Sequence, residues 1–262
     1  MRRGTKRKLR ASMLIAAAMV LGIAAGSGAV DGTIEINQAV MNAVGFPYKI
    51  SAPGSYRLTS NLTVSSSSTD AIDVNPNGAC TAAGTPYACC TGSGTGTCTG
   101  VTIDLNGFTI AGVSSGYGIR ANTVSNVTVK NGVITKFNFG VELGSNGVVS
   151  GVQAVSNADG IITGNYSLIE GCAANSNTSV GLFCLGSGCV ISNNTATGNA
   201  WGSYTSGSES FVNGNILSEN TTDGIFAADA STGWGWNVMW SNGTNHVGGT
   251  STGHNLCNGV VC

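Results

Sequence analysis

Gly160-Ile-Ile-Thr-Gly-Asn-Tyr-Ser-Leu-Ile-Glu-Gly171 is answered one repeat later by Gly181-Leu-Phe-Cys-Leu-Gly-Ser-Gly-Cys-Val-Ile-Ser-Asn193. The opening glycine-aliphatic pair recurs as Gly118-Ile119, Gly140-Val141, Gly160-Ile161, Gly181-Leu182 and Gly224-Ile225, with Gly202-Ser203 as the exception. The intervals are 22, 20, 21, 21 and 22 residues. A second phase runs through Val129, Val149, Ile169, Ile191 and Val212, at intervals of 20, 20, 22 and 21. Two phases with one period establish a repeat before any local reading is made.

Each repeat holds short β-branched runs separated by Gly, Asn and Ser, with no helical spacing. A strand of about 4 residues and a turn, repeated two or three times in about 21 residues, builds one coil of a parallel solenoid. The second phase then points inward, each side chain resting on its equivalent about 4.8 Å along the axis. Ile119, Val141, Ile161, Leu182, Ser203 and Ile225 form another inward column. Asn138, Asn157, Asn177, Asn199, Asn220 and Asn242 recur just before the glycine phase. Asparagine tolerates left-handed backbone and stacks in hydrogen-bonded ladders. Several of these, Asn177 and Asn220 included, also read Asn-x-Ser/Thr, a by-product of the composition. All four prolines (Pro47, Pro53, Pro76, Pro86) precede the repeat, which agrees with unbroken strand pairing after residue 101.

Charge is distributed unevenly. Six of the eleven basic residues lie in the first ten positions: Arg2, Arg3, Lys6, Arg7, Lys8 and Arg10. An apolar run, Met13 to Ala25, follows, and then Ser27-Gly28-Ala29. This order is that of an export signal cut after Ala29, and 13 apolar residues fall short of the roughly 20 that span a bilayer. The remaining chain carries five basic and twelve acidic residues, a net charge of −7, with no Lys or Arg after Lys136. Nucleic acids and anionic membrane surfaces, which need basic side chains, are poor partners for it.

The segments Val101-Thr-Ile-Asp-Leu-Asn-Gly-Phe-Thr-Ile110, Gly118-Ile119 and Asn126-Val-Thr-Val-Lys-Asn-Gly-Val-Ile134 resemble the right-handed parallel β-helix repeat. That superfamily includes pectate-lyase-like and polygalacturonase-like proteins and exported bacterial proteins of unknown role. Gly54-Ser-Tyr-Arg-Leu-Thr-Ser-Asn-Leu62 resembles the opening coils of the last group. The resemblance covers about residues 54–250. It is specific for fold and leaves function open, because many chemistries use the scaffold. The expected organisation is an all-β chain: 1–29 signal peptide, 30–76 N-terminal cap and first coils, 77–100 Cys-rich inserted loop, 101–250 parallel β-helix, and 251–262 terminal disulfide loop. Trp234, Trp236 and Trp240, just before that loop, are expected to cover the last open coil or to stack on sugars.

Nine cysteines in an exported chain read as disulfides. Cys80, Cys89, Cys90 and Cys98 are expected to staple the inserted loop; a zinc site there is the alternative. Cys257 is expected to pair with Cys262. Two of Cys172, Cys184 and Cys189 should pair, with Cys184–Cys189 the choice across Leu-Gly-Ser-Gly and one thiol left buried.

The enzyme constellations implied by the resemblance are mostly absent. Lyases of the superfamily use calcium held by acidic residues and an arginine base; the acidic cluster has no counterpart. Polygalacturonases bring an Asp-Asp pair, a His-Gly and an Arg-x-Lys, none of which occurs. Arg120, Glu142 and Asp159 remain as catalytic candidates, with Arg120 and Glu142 read as an exposed ion pair on consecutive coils. Glu142 and Asp159 lie on adjacent coils. Asp159 and Asp223 share a repeat position three coils apart, about 14 Å by strand spacing, beyond the roughly 6.5–9.5 Å of inverting hydrolases. Glu219, Asp223 and Asp229 are acids for a calcium ion, the one cofactor considered. His246 and His254 read as loop residues.

Two residues after the phase glycine stand Arg120, Glu142, Ile162, Phe183, Tyr204 and Phe226. This position alternates with the inward one and faces outward. Phe183, Tyr204 and Phe226, with Trp201 nearby, make an outward aromatic strip that marks either a neutral-glycan site or a surface covered by the C-terminal tail or a partner. Three classes stand at this point. The first is a non-catalytic exported module that binds glycan or builds a cell surface. The second is a divergent polysaccharide lyase or glycoside hydrolase. The third is a structural component that oligomerises side by side.

Overall fold

A computed structural model describes residues 32–74 and 100–262. The expected export segment, residues 1–29, and Cys80, Cys89, Cys90 and Cys98 with their expected pairing lie outside the described residues. The chain is a parallel β-solenoid of about nine turns with a spacing of about 22 residues per turn. One face is a nine-stranded sheet running from Tyr48–Ile50 to Thr244–Gly248, one strand per coil. The other two faces belong to an eighteen-stranded sheet. Phe139–Leu143 crosses the first face, Val148–Val155 crosses the second and third with a bend at Gly151, and Asp159–Thr163 opens the next coil. Coils begin earlier and end later than the 54–250 span: Thr33–Ile36 pairs with Gly54–Leu58, and Val238–Trp240 with Leu256–Cys257.

Both inward columns are as the spacing predicts. Val129, Val149, Ile169, Ile191 and Val212 stack in register and are fully buried. Ile119, Val141, Ile161, Leu182, Ser203 and Ile225 do the same on the nine-stranded face. β-Branched side chains fit this site because each stacks on a near-copy of itself on a pleated surface.

The asparagine column differs from its expectation in three ways. Asn157, Asn177, Asn199, Asn220 and Asn242 form one ladder, each Nδ2 donating to the next Oδ1 at 2.9–3.2 Å. Asn138 is not in it. Phe137 holds the position before Asn157, with its backbone N–H on Asn157 Oδ1. The ladder asparagines are not the left-handed residues; the residue just before each one is, as at Ser156, Ser176, Glu219 and Ser241. A second ladder, Asn194, Asn215, Asn237 and Asn255, lines another corner. Cys172 is its first rung: its N–H donates to Asn194 Oδ1 and its thiol donates to Val149 O. These side chains satisfy backbone groups that the turns would otherwise bury unpaired.

Helix α1 (Gln38–Val44), with Asn37 as N-cap and Met41 buried, packs beside the strand Leu62–Thr63 near the N-terminal end. At the other end Leu256–Cys257 pairs antiparallel with Val260–Val261, which breaks the parallel pattern and blunts that edge. The tryptophans do not form one cover. Trp234 is an inward residue above Val212 and meets the His246 ring at 4.2 Å. Trp236 and Trp240 are exposed, because one occupies a left-handed corner and the other an outward position. Trp236 stacks on His254.

Cys184–Cys189 and Cys257–Cys262 are disulfides, and Cys172 is free and buried.

Candidate functional site

The outer side of the nine-stranded sheet carries the candidate residues in two columns. One runs Lys49, Asp73, Arg120, Glu142, Ile162, Phe183, Tyr204, Phe226, Val247 in strand register. The neighbouring column contains Phe139, Asp159, Val180, Trp201 and Asp223. The face therefore changes character along the axis, from charged in the early coils to apolar and aromatic in the later ones.

In the charged half, Arg120 does not pair with Glu142. Its guanidinium lies 3.2 Å from Asp70 and 3.7 Å from Asp73 and sits 5.5 Å over the Tyr117 ring. The strand Ile72–Val74 pairs with Tyr117–Ala121, with Asp73 in register with Arg120, so two carboxylates compete for Arg120 against one. Glu142 turns instead to Asn122, accepting from its Nδ2 at 3.0 Å. Burial pushes the Glu142 carboxyl above its ordinary range, against the opposing pull of Asn122 and Arg120. Burial also raises Asp73, again against Arg120. Asp159 and Glu142 do not face each other: Asp159 lies opposite Phe139, and Glu142 opposite Ile162. Asp159 is occupied in accepting from Val180 N–H.

The aromatic half is not the flat platform that three successive rings suggest. Tyr204 and Phe226 lie with centroids 4.7 Å apart and planes 18° apart. Coplanar rings cannot approach so closely edge to edge, so these two turn their faces to one another along the axis. Phe183 meets Tyr204 edge-on at 4.8 Å. Trp201 stands nearly perpendicular to Tyr204, at 87°, and so runs along the axis. Its own column holds Val180 and Asp223, neither of them a ring. Trp201 Nε1 donates to Asp223 Oδ2 at 3.1 Å, which fixes the indole orientation. Residues after 232 continue the coils, with Val247 following Phe226 in register, and do not fold back over the strip.

The acids considered for calcium go separate ways. Glu219 is a left-handed corner residue, Asp223 holds Trp201, and Asp229 accepts from Ser231, which lowers its carboxyl from the ordinary value. Among the described residues no three His, Cys, Asp or Glu side chains gather as a metal site. Sequence reasoning missed Asp70, Asp73 and Asn122. The signal for Asp70 and Asp73 was hidden because Ile72 and its register partner Ile119 lie 47 residues apart (119 − 72), about two periods instead of one.

No protein-family model and no curated protein matches this sequence. Among solved structures, the chain is similar to ORF18 of Geobacillus virus E2, at 13% identity and a TM-score of 0.54. The match covers 84% of this chain and 46% of the viral one, so the chain spans less than half the length of that neighbour. At that identity the likeness concerns the fold alone.

Proposed function

We propose that this is an exported, non-catalytic β-helix of the pectate-lyase-like type whose nine-stranded face binds a neutral glycan. The observation that carries the reading is Trp201, oriented by Asp223, beside the half-buried Phe183–Tyr204–Phe226 stack. An indole held by its N–H offers a rigid apolar surface to the C–H face of a sugar at little entropic cost. The Tyr204 hydroxyl supplies a polar group for sugar hydroxyls, while Asp223, buried beneath the indole, serves to orient Trp201. The lack of Lys and Arg after residue 136 favours a neutral ligand over an acidic one. Export is supported by the basic and apolar N-terminal runs and by the two disulfides.

The divergent-hydrolase reading has less support. Asp73 is only 6% exposed and engaged by Arg120, and Asp159 is engaged by Val180. A carboxyl that protonates a leaving group must reach the substrate. The test is retention of the mature protein on a panel of insoluble neutral and acidic polysaccharides, with reducing-sugar release assayed in parallel. Retention on a neutral member, weakened by Tyr204→Ala without a lower melting temperature and without sugar release, agrees with the proposal. Unchanged retention of that variant, or release of sugar, removes it.

A further inference from the structure

The third face of the solenoid ends in an exposed aliphatic column. Ile216, Val238 and Leu256 hold one outward register position on the strands Ile216–Ser218, Val238–Trp240 and Leu256–Cys257. In earlier coils the same position is Gln153, Ala173 and Thr195, so the apolar character begins at Ile216. Val261 lies opposite Leu256 in the antiparallel terminal strand and adds a further rung. Trp240 stands two residues after Val238 on the same side of its strand, and a Cβ on Gly259, in the hairpin turn, would lie 3.3 Å from its ring. The Cys257–Cys262 disulfide ties that hairpin down. These side chains range from 37% (Val238) to 74% (Val261) exposed.

Together they leave about 500 Å² in water, near the top of what the largest patch on a monomeric protein shows. Covering the patch with its own copy removes about 1,000 Å² in total, where specific interfaces begin. Its shape is complementary to itself. Similar side chains at a strand spacing of about 4.8 Å leave gaps as regular as their ridges, so a second column offset by half a spacing fits between them. No Asp, Glu, Lys or Arg follows Asp229, so the strands from Gly233 onward carry none of the charges that repel an identical copy or recruit an oppositely charged partner. Glu219, at the corner after Ser218, is an acid on the rim of the patch.

We propose that this patch is the interface of a two-fold dimer, with the last coils of two copies packed face to face. A two-fold along the solenoid axis would set equal rungs head-on. A two-fold across the axis allows the half-spacing offset, so the two solenoids run antiparallel and overlap at these coils. The pairing is independent of the glycan reading, because it uses a different face and leaves Trp201 in the open.

Sedimentation of the purified mature protein over a micromolar concentration series tests this, with Val238→Lys and Ile216→Glu as variants. Both positions are outward and partly exposed, so the variants keep the fold; the melting midpoint at the lowest concentration checks this against the wild type. The wild type should pass from one chain mass to two as concentration rises, and its midpoint should climb with concentration. Both variants should stay at one chain mass, with midpoints that do not depend on concentration. A wild type that stays at one chain mass throughout leaves the patch to another occupant and overturns the proposal. Variants that double in mass as the wild type does overturn it as well.

Discussion

A Cβ placed on Gly181 would lie 2.8 Å from Asn199 Nδ2 and 2.9 Å from the carbonyl oxygen of Gly202. The two periodicities of the sequence are thus one device. The ladder asparagine of each coil fills the space that the phase glycine of the preceding coil leaves open. Gly140 with Asn157, Gly160 with Asn177 and Gly202 with Asn220 repeat the relation. None of these glycines has a positive φ, so the need is close approach and not backbone freedom. Gly181→Ala should therefore destabilise by several degrees in a thermal melt, and Gly171→Asn, at an open corner with φ +61 whose register equivalents Asn131 and Asn193 already adopt that conformation, by less. An equal loss would separate the glycine phase from the ladder.

Removing a rung tests the ladder directly. Asn199 accepts from Asn177 N–H and Nδ2, and donates to Ala174 O and Asn220 Oδ1. Asn199→Ala leaves several of these buried groups unpaired, at about 1–3 kcal/mol each. Chemical denaturation should show a loss of at least the lower figure. At the head of the second ladder the opposite change should help. Cys172 already receives Val152 N–H at its sulfur and donates to Val149 O, the contacts an asparagine would make more strongly. Cys172→Asn should hold or raise the midpoint, whereas Cys172→Val should lower it.

The inward and outward assignments predict unequal costs for one substitution. Ile169→Asp puts a carboxylate into a dry stack, where it must be neutralised or must disrupt its surroundings, and should abolish the cooperative melt. Ser150→Asp, outward and in register between Lys130 and Glu170, whose opposite charges offset one another, should change the midpoint little.

Glu142 predicts a pH dependence. Its carboxyl is raised mainly by burial, so the folded protein holds that proton more tightly than the unfolded chain does. The contribution favours folding while the group is protonated and is lost as pH rises through the raised value. Glu142→Gln stays neutral and can still accept from Asn122. It should melt like the wild type near pH 4 and above it near pH 7; the reverse order would mean that Arg120 outweighs burial.

The fold was legible because a solenoid repeats its contacts: Val129, Val149, Ile169, Ile191 and Val212 report one environment five times. Cys184–Cys189 was legible for a local reason, a tight turn between two cysteines. The partners of Arg120 were not, because Asp70 and Asp73 lie about fifty residues away in sequence and one coil away in space. The second ladder was overlooked because its Asn194, Asn215, Asn237 and Asn255 lie among many other asparagines. Ring orientation was out of reach in principle. Spacing places Tyr204 over Phe226, but only side-chain torsions decide whether faces turn to solvent or to each other.

Glycan binding as proposed rests on the Trp201 face of the nine-stranded sheet. The most direct measurement compares Trp201→Ala with Trp236→Ala, an exposed ring at a corner away from that sheet, on whichever neutral polysaccharide retains the wild type. Trp201→Ala should lose retention while still melting cooperatively, at a lower midpoint because buried Asp223 loses the indole N–H, and Trp236→Ala should be retained as before. Retention of Trp201→Ala at the wild-type level would contradict the glycan reading.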